Sequence, residues 1–347
     1  MNLSFSHVII ESIAHILPPT VITSDEIEQR LSGVYERLHL PFGRLELMTG
    51  IRERRIWDEP ILPSQASTQA AKNVLEQTSI PSDHIDLLIH ASVCRDRLEP
   101  ATAAYVHRNL RLPEHTLFFD LSNACLGFLN AMAMVASMIE AGQIRSALIV
   151  SGENGKPLLD HTFTCLEDAT ITRRTIKSYF ANLTIGSGAV AALLCHESLA
   201  KNRRNKLKLS AVSGLSDTNG CTLCQGDATF DKGLAMQTDS EALLKLGIQL
   251  AHSSWQQFLR HTQLKNTDIA HTICHQVGQR HRLLLYQTLG LDLEKDFSTF
   301  PFLGNTGSVA LPLTLSLAIE KNIIHGKIIL LGIGSGISSL MMLLENI

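Results

Sequence analysis

Two stretches of the chain repeat one α/β pattern, and this repeat restricts the possible folds more than any other feature. Ser67–Ala91 predicts a helix, a polar connector and an apolar strand, and Gly247–Gln276 predicts the same elements in the same order. The apolar segments SALIVSGENG and KIILLGIGSG, which end at Gly155 and Gly336, form a second matched pair. Two similar halves indicate a duplicated α/β core.

The boundary between the halves is predicted to follow the charged stretch Asp168–Lys177, which divides the chain into residues 1–178 and 179–347. A chain of 347 residues with 45% apolar content is long enough to bury such a core. Active sites of open α/β sheets lie at the carboxyl ends of strands. The regions around Cys125 and after Ile273 are therefore the first candidates for chemistry.

Cys125 lies between a predicted strand and a predicted helix. Thr116–Phe119 predicts a buried strand, and Leu126–Ala141 predicts an apolar helix that Gly142 closes. A thiol at a helix N-terminus faces unpaired backbone N–H groups, which we expect to lower its pKa and to hold a developing oxyanion. Cys125 is the candidate nucleophile, and the alternative is a buried structural cysteine.

Two further polar residues end apolar runs in the second half. His275 follows Ile273 and Cys274, and Asn305 lies in the turn-rich segment FLGNTGSVALPL. Alone, each has a structural explanation, as a satisfied histidine at a strand end and as a turn asparagine. With Cys125 they provide a thiolate nucleophile, an imidazole and an amide donor for a carbonyl oxygen.

Composition and charge argue against several classes of function. Lys+Arg 30 against Asp+Glu 33 gives a net charge of −3 and no bias toward nucleic acid or anionic membranes. We identify neither a secretory signal nor an apolar window long enough to span a membrane. Seven irregularly spaced cysteines suit a reducing cytoplasm, where we expect the protein to be located.

The second half also contains a cysteine pair and a basic run. Cys221 and Cys224 form a CxxC pair, but no further ligands follow at familiar zinc spacing, so a loop is favoured over a metal site. The basic run Lys201–Lys208 predicts a solvated turn, with docking of an acidic carrier protein as the alternative.

The chain resembles the thiolase-fold condensing enzymes of the β-ketoacyl-acyl carrier protein synthase III group over nearly its whole length. The resemblance is carried by TGIRERR at Thr49–Arg55, the elbow Asn123–Phe128, ALIVSGE, IGSGAVAALL, His275-Gln276, Gly304-Asn305-Thr306 and GIGSG at Gly332–Gly336. It implies a five-layered αβαβα fold, a homodimer and a catalytic triad of Cys125, His275 and Asn305. It also implies an oxyanion hole formed by the backbone N–H groups of Cys125 and the Gly336 turn.

Three segments are similar to the subgroup that joins two fatty acyl thioesters head to head in bacterial olefin synthesis: SVCRDRLEPATAA, the Cys-Leu elbow and LLGIGSG. In that subgroup, the glutamate that matches Glu99 reaches into the active site of the partner subunit and serves as base. The alternative for Glu99 is a surface residue that precedes a proline. Starter-unit synthases carry an apolar aromatic residue at this position instead.

Starter-unit synthases also hold coenzyme A with a Trp and an Arg upstream of TGIR, where this chain has Arg44 and Met48. This difference argues against ordinary acetyl-coenzyme A priming. Arg44 and Arg52 are the candidate substrate-binding residues. By itself, the arginine-rich segment with Arg52, Arg54 and Arg55 predicts a solvated charged ribbon, with a phosphate grip as the alternative.

The sequence therefore predicts an acyltransferase that forms a β-ketoacyl product by Claisen condensation of two acyl thioesters. The acyl group would be held on Cys125, the second thioester oxygen would bind His275 and Asn305, and Glu99 would remove the α proton. The substrates would be acyl-CoA or acyl carrier protein thioesters, with no metal or other cofactor. The alternatives are a decarboxylative synthase III, acyl transfer to an oxygen or nitrogen of a natural product, and a non-catalytic ketosynthase partner subunit.

Overall fold

The computed structural model describes residues 1–200, 206–229, 233–275 and 277–347. Gln276 and residues 201–205 of the predicted basic turn lie outside these ranges. The strands are β1 (Asn2–Ser4), β2 (Val8–Ile16), β3 (Thr20–Thr23), β4 (Glu53–Ile56), β5 (Leu87–His90), β6 (Leu117–Asp120), β7 (Ser146–Glu153), β8 (Gly188–His196), β9 (Leu207–Ser216), β10 (Cys224–Thr229), β11 (Gly233–Thr238), β12 (His271–Cys274), β13 (Lys327–Gly334) and β14 (Ser338–Asn346). The α-helices are α1 (Ser24–Arg30), α2 (Ser32–Arg37), α3 (Arg44–Thr49), α4 (Pro63–Gln77), α5 (Thr102–Leu110), α6 (Gly127–Glu140), α7 (Lys156–Glu167), α8 (Ser240–Thr262), α9 (Gln279–Leu289), α10 (Phe300–Leu303) and α11 (Ala310–Glu320).

The main sheet runs β12-β13-β14-β9-β2-β8-β7-β5-β6, with β1 beside β9. At its centre β2 pairs with β9, where Ile10 lies opposite Leu207. Outward from this pair, each side has two antiparallel neighbours and then a parallel strand, in the orders β8-β7-β5 and β14-β13-β12. Both sides therefore share one strand order, as a duplicated core requires. The boundary after residue 178, within the 3-10 turn Thr175–Tyr179, stays a prediction.

Each half of the sheet has helices on both faces, and the helices on the two inner faces share one layer between the halves. The apolar helices α6 and α11 pack with residues from both halves in one core. Helices α4 and α5 cover the outer face of the first half, and α8 and α9 cover that of the second. Alternate residues of one strand serve different layers, since Ile149 of β7 faces α6 and Leu148 faces α4. The layers are therefore αβαβα, as expected.

The strand before Cys125 is not buried, contrary to the prediction from its apolar sequence. Leu117 is 67% exposed and Phe118 is 44% exposed. The reason is that β6 ends the sheet and, among the described residues, pairs only with β5. An exposed apolar edge strand is typical of a strand that pairs with another chain.

The prediction of a solvated arginine ribbon is wrong for Arg54. This side chain is fully buried and donates to the carbonyl oxygens of Ile22 (3.4 Å) and Leu183 (2.9 Å) and to Oγ of Ser24 (3.1 Å). Burial lowers the pKa of Arg54 to about 10. Arg54 therefore has a structural role that joins β4 to two other segments.

Every helix among the described residues is too short or too polar to cross a bilayer.

Candidate active site

Cys125 follows a sharp turn of the backbone. Ala124 has φ +46°, and the backbone N–H of Leu126 donates to the carbonyl oxygen of Asn123 (2.9 Å). Helix α6 begins at Gly127, two residues beyond the cysteine. The turn thus presents Cys125 between the end of β6 and the start of α6.

The turn that carries Cys125 rests on the end of β13, where only glycine fits. A Cβ atom on Gly332 would lie 2.7 Å from Cδ2 of Leu126, and one on Gly334 would lie 3.1 Å from its Cγ. Leu126 therefore occupies the space above both glycines. This contact explains Gly332 and Gly334 of the GIGSG segment and brings the Cys125 elbow to the end of β13.

His275 borders the same edge from the other side. Its backbone N–H donates to the carbonyl oxygen of Leu331 in β13 (2.9 Å), directly after β12 ends. The side chain is 3% exposed, and its Nε2 has no hydrogen-bond partner among the described residues. Burial, with a smaller effect from His281, lowers the pKa of His275 to about 3. The imidazole is therefore neutral at physiological pH, with one ring nitrogen available to a substrate.

Asn305 is held in a close backbone pairing that leaves its amide group available. Its backbone N–H donates to Thr184 O (2.9 Å), and its own carbonyl oxygen accepts from Gly186 N (2.9 Å). Its side-chain Oδ1 accepts from Gly307 N (3.1 Å). The NH2 group has no hydrogen-bond partner among the described residues, so it can donate to a carbonyl oxygen.

Two glycines permit this pairing. A Cβ on Gly186 would overlap the carbonyl oxygen of Leu303, and one on Gly304 would lie 2.5 Å from that of Thr184. Gly304 also has φ +68°, which disfavours other residues. The IGSG and GNT segments are thus explained by the close approach of two backbones.

Glu153, the last residue of β7, connects these parts and was missed in the sequence. Its carboxylate is 4% exposed and accepts from the N–H groups of Val93 (2.8 Å) and Cys94 (3.0 Å) and from Oγ of Ser308 (2.5 Å). It is also near enough to Cys125 to affect its thiol electrostatically. The sequence signal that could have identified Glu153 is its position as a carboxylate at the end of an apolar strand. His275 ends an apolar run in the same way.

The predicted lowering of the Cys125 pKa is wrong. Burial, followed by the charge of Glu153 and a smaller effect from Cys224, raises the pKa of the Cys125 thiol to about 12, although its own backbone N–H acts in the opposite sense. The helix-terminus argument missed a carboxylate that comes from another strand. At neutral pH the resting site therefore holds a thiol, and a proton acceptor is needed when it attacks.

Comparison with known proteins decides the family. Residues 119–212 match the model for 3-oxoacyl-(acyl-carrier-protein) synthase III, and residues 259–345 match its C-terminal part. An acyl-CoA:acyl-CoA alkyltransferase of Shewanella oneidensis is 35% identical over 98% of this chain and 99% of its own. The chain belongs to the 3-oxoacyl-(acyl-carrier-protein) synthase III family.

Solved structures of this family confirm the thiolase-like fold. A crystal structure of Xanthomonas campestris OleA with bound lauric acid and lauroyl-CoA has a TM-score of 0.93 at 34% identity, and the match covers 98% of this chain and 99% of that one. A β-ketoacyl synthase III of Clostridium beijerinckii is 27% identical over 98% of this chain and 99% of its own. The chain is thus more similar to the alkyltransferase named above than to this synthase.

Within this family fold, Glu99 lies in the loop between β5 and α5 and is exposed to solvent. Two carboxylates hold this loop. Asp96 accepts from Ser64 N (2.9 Å) and Oγ (2.5 Å), and Asp120 accepts from the N–H groups of Thr102 (2.7 Å) and Ala103 (2.8 Å) at the start of α5. Hydrogen bonds therefore anchor the loop on both sides of Glu99.

The structure does not test the substrate-binding role of the two arginines. Arg44 begins α3 and is half-buried, with its Nε lacking a partner among the described residues. Arg52 is exposed, and its Nε lies 3.9 Å from Oε2 of Glu53. Contact between either arginine and a substrate stays a prediction.

The CxxC pair separates into two environments. Cys221 is exposed in a turn, as expected for a loop, whereas Cys224 begins β10 and is close enough to affect the Cys125 thiol. In the described ranges, no cluster of three or more His, Cys, Asp or Glu side chains could hold a metal ion.

The raised pKa of Cys125 predicts how its alkylation depends on pH. Because the pKa is about 12, the carbamidomethylation rate at Cys125 should keep rising about tenfold per pH unit between about pH 7 and 10. Peptide mass spectrometry after timed iodoacetamide exposure measures this rate, with free cysteine as the reference. Free cysteine levels off near its pKa of about 8.5. A plateau for Cys125 at or below that pH would contradict the effect of burial and Glu153.

Proposed function

We propose that the protein condenses two fatty acyl thioesters head to head and releases a β-ketoacyl product. One observation carries the proposal: Cys125, a neutral His275 and the free amide group of Asn305 lie in segments that meet around β13 and Glu153. The chain that carries them is 35% identical to an acyl-CoA:acyl-CoA alkyltransferase. These groups match the needs of nucleophilic attack and enolate stabilisation.

The first half-reaction transfers an acyl group to Cys125. The thiol gives its proton to Nε2 of His275 as the sulfur attacks the thioester carbonyl. The C–S bond of the substrate then breaks, and the leaving thiolate takes the proton back from His275. The backbone N–H groups of Cys125 and Gly336 would hold the oxyanion that forms in between. No cofactor is required for this step.

The second half-reaction forms the carbon–carbon bond. The carbonyl oxygen of a second acyl thioester accepts hydrogen bonds from the NH2 group of Asn305 and from Nε2 of His275, after the single ring proton of His275 has exchanged through water from Nδ1 to Nε2. A base removes the α proton, and the enolate carbon attacks the thioester carbonyl on Cys125. The C–S bond to Cys125 breaks, and the proton taken by the base passes through water to the released thiolate. Both donors act where negative charge develops, so they stabilise the transition state more than the bound substrate.

Glu99 is the proposed base, and it would act in the partner subunit of a homodimer. The outer edge of β6 exposes Leu117 and Phe118, and pairing with a second copy would bury them. Helix α5, which follows Glu99, packs against β6. A partner bound along β6 would therefore meet the loop that carries Glu99, and this supports a base supplied across the interface.

Fatty acyl-CoA is the proposed substrate class, because the relatives named above act on acyl-CoA or bind lauroyl-CoA. Arg44 and Arg52 would bind the CoA part. We place the enzyme in the cytoplasm, because an odd number of irregularly spaced cysteines suits a reducing compartment better than a disulfide framework.

Incubation with lauroyl-CoA as the single substrate tests the function. Mass spectrometry should detect a β-keto product that contains both acyl chains, and the Cys125→Ala variant should form none. Release of lauric acid alone would indicate a thioesterase and contradict the proposal. Product formation only with a malonyl thioester would favour the decarboxylative synthase, and transfer only to an added alcohol or amine would favour the natural-product alternative.

A further inference from the structure

The Glu153 carboxylate is buried without a basic partner. Among the described residues, no lysine, arginine or histidine forms an ion pair with it. It is stabilised by the N–H groups of Val93 and Cys94 and by Ser308, through both Oγ (2.5 Å) and N (3.3 Å). A buried carboxylate is costly unless its hydrogen bonds are satisfied, so it holds these donors firmly.

The donors come from two loops with different tasks. Val93 and Cys94 begin the loop that carries Glu99, whereas Ser308 follows the turn that carries Asn305. This turn packs directly on the carboxylate, because Gly307 has φ +61° and a Cβ there would lie 3.4 Å from Glu153. One side chain therefore ties the Glu99 loop to the Asn305 turn.

We propose that Glu153 is a positioning residue that sets both loops for condensation. In its own subunit it fixes the turn that presents Asn305 to the second thioester. Through Val93 and Cys94 it also fixes the N-terminal end of the loop that presents Glu99 to the partner subunit. This inference rests on the proposed function, since the second role requires Glu99 to act across the dimer.

Glu153→Gln tests the inference with almost no change in size. The glutamine NH2 group cannot accept from a backbone N–H. At the Oε2 position it would lose the Cys94 N–H, and at the Oε1 position it would lose the N–H groups of Val93 and Ser308, so the anchoring weakens in either orientation. We expect condensation to fall at least about tenfold, in line with the loss of one buried hydrogen bond to a charged group. Cys125 acylation by lauroyl-CoA should not fall below the parent rate, because removing the Glu153 charge lowers the pKa of the thiol. A purely structural role would lower both activities together, in proportion to the folded fraction.

Glu11→Gln is the matched control. Glu11 is also 4% exposed, but it lies on β2, where its carboxylate pairs with Lys206 (3.2 Å) and contacts none of the loops of the site. This variant should lower thermal stability without changing the ratio of condensation to acylation. If Glu11→Gln and Glu153→Gln change that ratio equally, the inference is wrong.

Mixed dimers separate the two roles of Glu153. A Cys125→Ala chain paired with a Glu99→Gln chain retains one complete site, which uses Cys125 of the second chain and Glu99 of the first. Adding Glu153→Gln to either chain should lower the condensation rate of this site. If either placement leaves the rate of the parent mixture unchanged, Glu153 does not bridge the loops.

The same mixtures distinguish failure of the inference from failure of the proposed function. Suppose that the mixture of Cys125→Ala and Glu99→Gln chains without Glu153→Gln is inactive even though the Glu99→Gln homodimer acylates normally and the Cys125→Ala homodimer binds lauroyl-CoA normally. In that case Glu99 does not act across the dimer. The two-loop inference is then wrong together with that part of the proposed function. The role of Glu153 in fixing the Asn305 turn is then tested with a malonyl thioester, whose condensation needs no base. Glu153→Gln should still slow its condensation, and an unchanged rate would overturn that role as well.

Discussion

Glu99→Gln is expected to lower the condensation of two lauroyl-CoA molecules by at least about 100-fold and to leave Cys125 acylation near the parent rate. Glutamine preserves the size of the side chain but cannot take the α proton. Acylation needs no such base, because its proton passes between Cys125 and His275. Intact-mass measurement of the acyl-enzyme and chromatography of the β-keto product report the two steps separately.

Glu59→Gln provides a close control for this prediction. Glu59 is exposed and precedes Pro60, just as Glu99 is exposed and precedes Pro100, but it lies in a different loop. Its replacement should change neither step. A malonyl thioester forms its carbanion by losing carbon dioxide, so it should restore condensation in Glu99→Gln if the enzyme accepts it. Equal rates for Glu99→Gln and the parent with lauroyl-CoA would favour a decarboxylative synthase.

Asn305→Asp is expected to lower condensation about 100- to 1000-fold, the typical effect of losing one oxyanion donor. The carboxylate can still accept from Gly307 N, so the turn retains its internal hydrogen bond, whereas the NH2 donor is lost. Acylation of Cys125 should persist, because Asn305 contacts only the second thioester in the proposed mechanism. If Asn305→Asp condensed lauroyl-CoA at the parent rate, the amide would not hold the enolate.

His275→Ala is expected to impair both steps, and this distinguishes it from Asn305→Asp. The raised pKa of Cys125 means that the thiol must give up a proton during attack, and the neutral His275 is the proposed acceptor. Acylation by His275→Ala should therefore regain speed as the pH rises toward the pKa of the thiol. A pH-independent acylation rate equal to that of the parent would exclude His275 from the first step.

The main elements could be predicted, and the three candidate residues could be located, because their signals are local. Cys125, His275 and Asn305 each follow an apolar run, and the edge of an α/β sheet is where such residues meet. The alternation of buried residues in β7 and β13 likewise follows from the apolar runs that were paired as a repeat. The layer order does not follow from these local signals, and its prediction rested on the family resemblance.

The sequence predictions were wrong where residues distant in sequence determine a pKa or the burial of a side chain. The pKa of Cys125 depends on burial and on Glu153, which lies on another strand, so the helix argument gave the wrong direction. Leu117 and Phe118 have the composition of a core strand, and only the sheet order shows that they form its edge. The burial of Arg54 depends on carbonyl groups of two other segments, which its charge-rich sequence does not indicate.

Glu153 shows how one residue can be hidden in a recognisable motif. The segment ALIVSGE predicts an apolar strand, and nothing in its local pattern marks the final carboxylate as buried. Its meaning comes from Val93 and Ser308, which are distant in sequence and converge on it in the fold. A buried carboxylate between two loops of an active site could not be inferred from local pattern.

The most direct test of head-to-head condensation starts from enzyme that carries an unlabelled lauroyl group on Cys125. Lauroyl-CoA deuterated at its α carbon is then added in a single turnover. The mechanism predicts a β-keto product that contains both acyl chains and has lost one α-deuterium, formed at the rate at which the Cys125 thioester disappears. Release of the Cys125 acyl group as unlabelled lauric acid, with every α-deuterium retained in the added thioester, would contradict the mechanism.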